Sequence, residues 1–311
     1  MKQTKHNVAM IGKGMIGIGF AALFTGNGIP VTVLARDAEE GFRKYDEIFS
    51  LLEEKQLVTK AQAACCRKLL HFTDTYAGIA DAEIIFECVV ENLSVKQEVY
   101  ASIEEHCPRV AAIASASSVI SPEDLSAGMK RKDLLLVAHP YTPAYLVPCV
   151  EVVPSQYTAP RAVELVCELL EAVKREVILM KKPAPGFIAN RLQHALTREA
   201  FHMVQEGIAS PADIDRALKS SFARRFTAVG VFEAVDNAGL EQKLSVDDYI
   251  FRELGTETCG VPFLRELVAQ GNLGIKTGKG IYEWTPETAK ELKERMIQPY
   301  LSCFNWELPE S

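Results

Sequence analysis

Nowhere in the chain do about eighteen apolar residues run together, so no membrane-spanning helix is expected. Basic residues are in deficit: 34 Lys and Arg stand against 41 Asp and Glu, a formal net charge of -7. No basic stripe with interleaved aromatics occurs either, and nucleic acid is not an expected partner. The eight cysteines never form a CxxC pair, which argues against a disulfide framework or a zinc site, and no metal is expected. Adjacent Cys65 and Cys66 read as a detail of a helix surface. Internal repeats and low-complexity segments are also missing. The N-terminus, MKQTKHNVAMIGKG, enters a strand pattern without an apolar signal core, which points to the cytoplasm.

The 311 residues, 48% hydrophobic and 24% charged, suffice for two globular domains or one large one. The most informative segment is NVAMIGKGMIG at 7–17, an apolar run that breaks into Gly12, Gly14 and Gly17 with GxGxxG spacing. Lacking side chains, Gly12 permits a tight turn, Gly14 lets the backbone approach a pyrophosphate, and Gly17 allows close packing of the following helix. The start of that helix, with Met15 and Ile16, offers free N–H groups and a positive dipole end to the same anion. A helix over 15–27, stopped by Gly26 and Gly28, and an apolar strand over 31–35 complete a βαβ unit. A dinucleotide is the expected cofactor.

A charged stretch from 37 to 70, broken near Val58 and Thr59, reads as a helical hairpin inserted into the alternation. Strand patterns follow at 83–88, 110–114, 134–138, 149–153 and 177–180, with helices at 93–106 and 159–173. Continuous apolar runs suit a mostly parallel sheet covered on both faces. KKPAPG at 181–186 breaks the pattern, and beyond it helices are expected at about 187–206, 211–220 and 246–254. The expected fold is an α/β Rossmann-type domain, 1–184, plus an all-α domain, 185–311.

In an open α/β sheet, ligands bind beyond the carboxyl ends of the strands. Ser115, Ser117 and Ser118 follow one such end, His139 ends the next strand, and Glu151 lies on the strand after it. A carboxylate partner holds an imidazole in one tautomer, as a proton acceptor for an alcohol requires. The competing reading of His139 is a strand-end histidine satisfied by backbone groups. Asn190 interrupts an apolar helix face formed by Phe187, Ile188, Leu192, Ala195 and Leu196, which suits either a buried polar network or an interdomain cleft.

Together GKGMIG, ECVVENLSVK, SASSV, VAHPYTPAYLVPCVEVV, PGFIANRLQHALTREA and VQEGIASPADIDRAL span nearly the whole chain. In these segments it resembles the L-3-hydroxyacyl-CoA dehydrogenase family, closest to the lambda-crystallin or L-gulonate 3-dehydrogenase type, with carnitine dehydrogenases nearby. The resemblance implies that Ser117, His139, Glu151 and Asn190 are catalytic and that Glu91 and Lys96 line the cofactor. His139 would exchange the proton of the substrate's 3-hydroxyl while hydride passes to or from the nicotinamide. Glu151 would orient the imidazole, and Ser117 and Asn190 would bind the reacting oxygen.

Three departures from the family pattern stand out. Thr142 replaces an asparagine in the segment after His139, and Ala116 replaces a threonine-like position before Ser117. Where an acid normally ends the second strand, the chain has Ala35, Arg36 and then Asp37. A small residue followed by arginine accommodates a 2′-phosphate, which tips the expectation from NAD towards NADP. In the other reading Arg36 is a surface residue and Asp37 contacts the ribose of NAD. Arg225 in SFARRFTAVG matches an arginine of the lambda-crystallin and carnitine types and would bind a substrate carboxylate, unless it serves a salt bridge or a dimer contact. A small 3-hydroxy acid, L-gulonate-like or short, is therefore the expected substrate. The alternative is a 3-hydroxyacyl-CoA, with Lys44, Lys55 or Lys68 facing the CoA phosphates. Apolar residues such as Ala195, Leu196, Phe201 and Val204 exceed what one helical layer covers, and with the resemblance they imply a homodimer through the second domain.

Overall fold

The computed structural model describes residues 6–310; residues 1–5, on which the reading of the N-terminus partly rests, and Ser311 lie outside them. Two compact units emerge from the contacts. The first runs through Ile188 and takes the chain back from Arg295 onward; the second is Ala189–Glu294. The expected cut at 184/185 provides for one crossing, whereas the chain makes two. The tail returns because its aromatic residues find cover in the first unit's core: Trp306 is buried, 6.0 Å from Phe49 and 4.8 Å from Phe304 between ring centroids.

The first unit is built on one eight-stranded sheet: β1 (Val8–Ile11), β2 (Val31–Leu34), β3 (Leu70–Thr73), β4 (Ile84–Glu87), β5 (Ala112–Ser115), β6 (Leu135–Pro140), β7 (Cys149–Pro154) and β8 (Glu176–Leu179). Their spatial order is β3-β2-β1-β4-β5-β6-β7-β8. Every neighbouring pair is parallel except β6 and β7. The chain moves outward from β1 in both directions, so the crevice at its carboxyl end is the topological switch point.

All four residues of β1 are buried because the strand has helices over both faces. Val8 and Met10 enter one apolar cluster with Phe20, Phe24 and Phe86, and Ala9 and Ile11 enter another with Tyr100 and Ile103. The first cluster lies under α1 (Met15–Gly26), α2 (Ala38–Glu54), α3 (Lys60–Lys68) and α6 (Pro160–Ala172); the second lies under α4 (Leu93–His106) and the short α5 (Pro122–Leu125). Local caps set the starts. Asp37 accepts from Glu40 N–H at α2, Thr59 and Gln62 form a capping box at α3, and Asn92 accepts from Val95 N–H at α4.

Two expectations are corrected here. The hairpin does not extend to residue 70, because Leu70–Thr73 pairs with β2 as an edge strand. Cys66 is buried in the core rather than on a helix surface, and burial together with neighbouring Cys65 pushes its thiol up to about 12.

The second unit contains α7 (Ala189–Gln205), α8 (Pro211–Ser220), α9 (Val231–Ala238), α10 (Leu240–Ile250) and α11 (Pro262–Ala269) and most of α12 (Pro286–Leu301), within which the chain passes to the first unit. The helix expected at 246–254 begins earlier and ends earlier, as α10 at Leu240–Ile250, and α9, which was not expected, precedes it across Gly239 at φ +92°. The Leu192, Ala195 and Leu196 face of α7, expected to be buried, is exposed in the single chain, with Leu192 at 60%. No helix among the described residues is long and apolar enough to cross a membrane.

Candidate active site

Gly12 has φ +113°, and a Cβ there would meet the Cys88 carbonyl oxygen at 2.6 Å. A Cβ on Gly17 would lie 2.2 Å from the Gly12 carbonyl oxygen. Both positions therefore accept only glycine in this backbone. Gly14 differs: its added Cβ would meet nothing nearer than 3.9 Å, so the open space above it lies on the side a ligand would occupy. Gly14 is also the N-cap of α1 and brings no side-chain cap, which leaves the first N–H groups available, while Met15 stands exposed beside them. This cradle fits a dinucleotide pyrophosphate.

His139 and Glu151 are register partners across the antiparallel pair β6 and β7. Directly opposed residues point to the same face, and their side chains meet. His139 Nδ1 lies 2.9 Å from Glu151 Oε2, with both side chains buried. Glu151 Oε1 accepts Ile188 N–H at 2.8 Å, and Tyr141 OH donates to Oε2 at 3.4 Å. The rings of Tyr141 and Phe187 pack 5.0 and 5.4 Å from the imidazole. With Nδ1 committed to the carboxylate, Nε2 is the nitrogen left for proton exchange.

A second polar cluster lies under the ends of β4 and β5. Ser117 Oγ donates to Glu91 Oε1 at 2.5 Å and accepts Ile120 N–H at 3.0 Å. Glu91 Oε1 also accepts Ser118 and Val119 N–H, and its Oε2 is 3.3 Å from Lys96 Nζ. Burial alone would push the Glu91 carboxyl up, but the Ser117 hydrogen bond and the Lys96 ammonium outweigh it and hold it below the usual carboxylate range. Lys96 is 1% exposed and also binds Glu87, at 2.9 and 3.1 Å. Glu87 accepts from Tyr100 OH at 2.6 Å and Ser115 Oγ at 2.7 Å as well. Burial and the adjacent carboxylate push the Tyr100 phenol far up, which keeps it a donor.

The N-terminal 3-hydroxyacyl-CoA dehydrogenase, NAD-binding domain model matches residues 7–183, and the C-terminal domain model matches 186–284. The chain belongs to the 3-hydroxyacyl-CoA dehydrogenase family. It is 29% identical over 295 residues to 5-formyl-3-hydroxy-2-methylpyridine 4-carboxylate 5-dehydrogenase of Mesorhizobium japonicum, covering 93% of this chain and 94% of the relative. L-carnitine dehydrogenase of Burkholderia mallei is 36% identical over 75% of this chain and 73% of its own. 3-Hydroxyadipyl-CoA dehydrogenase of Escherichia coli is 31% identical over 91% of this chain, which spans 60% of that longer protein. A crystal structure of the formyl-pyridine carboxylate dehydrogenase, described as an NAD+ dependent dismutase, superposes with TM-score 0.85 at 27% identity, over 96% of this chain and 97% of the other. The protein is thus an NAD(P)-dependent oxidoreductase acting on CH–OH donors.

Within this dehydrogenase the remaining predicted residues are distributed as follows. Arg36 and Asp37 are exposed after β2, and Asp37 accepts Glu40 N–H at 3.0 Å with Lys13 Nζ at 3.5 Å. Asn190, half-buried, is the second residue of α7, and Arg225 is exposed at the end of a short 3₁₀ turn, Phe222–Arg225; both belong to the second unit. Beside the glycine loop, Met15, Ile18, Lys44, Glu47, Ile48, Pro143 and Tyr145 line a cavity of about 490 Å³. Lys44 is paired with Glu40 at 2.8 Å there. Sequence reasoning missed Glu87 altogether, having placed it inside a strand. A usable signal existed: Lys96 and Tyr100 stand at i and i+4 and so share one face of α4, and an ammonium on the face turned to the sheet needs a buried counter-charge.

Proposed function

We propose that this dehydrogenase interconverts the 3-hydroxyl and 3-keto groups of a small hydroxy acid, L-gulonate-like or short, with His139 as general acid and base. The His139–Glu151 pair carries this reading: a buried imidazole with one nitrogen held by a carboxylate exchanges a proton through the other. In oxidation Nε2 takes the substrate's hydroxyl proton, and Glu151 offsets the charge of the imidazolium. Ser117, whose one hydrogen goes to Glu91 in the ligand-free chain and whose oxygen accepts Ile120 N–H, would turn that hydrogen to the substrate's oxygen, since the substrate's own proton goes to His139. Asn190 is assigned to the same oxygen and Arg225 to the carboxylate of the acid. Gly12, Gly14, Met15, Ile16 and Gly17 would hold the pyrophosphate, Arg36 and Asp37 the adenosine end, and Glu91 the nicotinamide side, with Lys96 behind it. The bound nicotinamide supplies the hydride acceptor or donor.

A relative named for a pyridine 4-carboxylate favours an acid over a thioester. The apolar cavity with Lys44 and the relative named for 3-hydroxyadipyl-CoA favour the second reading, a 3-hydroxyacyl-CoA substrate. Titration with NADH and NADPH, then turnover of L-gulonate, L-carnitine, L-3-hydroxybutyrate and 3-hydroxybutyryl-CoA, separates them. Efficient turnover of the CoA ester alone would defeat the free-acid reading.

We infer a homodimer through the second unit. Phe232 is 84% exposed, and Leu240, Leu244 and Tyr249 on α10 are also exposed, an apolar surface that a second copy would cover. Light scattering at micromolar concentration should report twice the chain mass; a monomer would contradict it.

A further inference from the structure

We propose that Glu87 is a positioning residue that sets Ser117 and Glu91. This rests on the reading in which Ser117 meets the substrate's oxygen. Glu87 ends β4 with no exposed surface, and its carboxylate reaches Ser117 by two routes. Its register partner on β5, Ser115, donates its hydroxyl to Glu87 and accepts Ser117 N–H at 3.3 Å. Lys96 joins Glu87 to Glu91, and Glu91 accepts the Ser117 hydroxyl. Backbone and side chain of Ser117 are thus both referred to one buried carboxylate. Val89 N–H, held by Glu87 Oε1 at 2.8 Å, ties in the start of the segment that carries Glu91.

The chemistry explains why the group is an acid. A buried ammonium at Lys96 needs a buried counter-charge, since an unpaired ion away from water is costly. Glu91, more than a third exposed, takes its position from Lys96 on one oxygen and from the 117–119 turn on the other. Glutamine at 87 keeps the shape but not the charge, so Lys96 would be drawn onto Glu91 alone and the 115–120 turn would lose its reference.

The test compares wild type, Glu87→Gln and Ser115→Ala by amide hydrogen exchange on the full, ligand-free chain. Exchange over 115–120 should rise about tenfold or more in both variants, the equivalent of one lost hydrogen bond to a charged group, while β6 and β7 keep their protection. Unchanged exchange there, or a rise spread over the whole unit, would overturn the proposal. Turnover of L-gulonate and of 3-hydroxybutyryl-CoA supplies the second readout. E87Q should lower kcat about 10–100-fold, and this effect should vanish in an S117A background, where a general loss of structure would persist. If S117A loses turnover but E87Q acts undiminished in it, the positioning role alone fails. If S117A turns over normally, the reading of Ser117 fails and the proposal with it. Should E87Q not fold, the S115A cycle decides the matter in the same way.

Discussion

Phe187 holds its ring against the imidazole of His139 from a backbone φ of +50°, directly after Gly186 at φ +77°. A bulky residue in this region is strained by about 1–2 kcal/mol. The reversal it makes delivers the Ile188 N–H to Glu151, so the strained turn holds both members of the pair. Phe187→Ala should cost about 3 kcal/mol through the lost ring. Phe187→Gly loses the same ring but relieves the φ, and it should be more stable than the alanine variant by about 1 kcal/mol. Urea unfolding measures both; the reverse order would refute the strain.

The glycine loop predicts a split between stability and binding. Gly17→Ala should lower both the melting temperature and NADH affinity, because the added carbon falls 2.2 Å from a backbone oxygen. Gly14→Ala, whose Cβ meets nothing nearer than 3.9 Å, should melt like the wild type yet bind NADH weakly. Equal effects of the two substitutions would show that Gly14 does not face the ligand.

Glu91 makes stability depend on acid pH. A carboxyl held below its ordinary value of about 4.3 contributes stability that is fully present above that value. The contribution is lost as pH falls through the lowered one. Unfolding free energies of wild type and Glu91→Gln should differ at pH 7 and converge as the pH is lowered past the carboxylate range. A gap that persists in acid would mean that the charge of Glu91 is not what matters.

The tail's return to the first unit is tested at Gly26. A Cβ there would lie 2.1 Å from the Trp306 ring, so Gly26→Ala should displace the tail. Trp306→Ala should destabilise the first unit by about 3 kcal/mol. Adding G26A to it should then cost almost nothing, a strong coupling in a double-mutant cycle. Additive losses would place the tail elsewhere in solution.

What the sequence made legible is what short-range chemistry determines. Ser210 announces its helix by capping, and α4 and α8 begin and end where the pattern places them. His139 and Glu151 could be paired in advance because each ends or occupies a recognisable strand near the crevice. β3, the tail and Glu87 were not legible. Four residues, LHFT, carry too little alternation to mark an edge strand, and no local period encodes the contact of Trp306 with a glycine some 280 positions earlier. Glu87 looked like a strand residue because its partners come from α4 and β5, which only the folded sheet brings to it.

Replacing His139 with glutamine gives the most direct measurement of the central claim. With NAD+ and L-gulonate or 3-hydroxybutyryl-CoA at saturation, the single-turnover rate followed by nicotinamide absorbance should fall about 10²–10⁴-fold, while the affinity for NADH stays within about twofold of wild type. A variant that turns over at the wild-type rate would contradict His139 as the group that carries the proton.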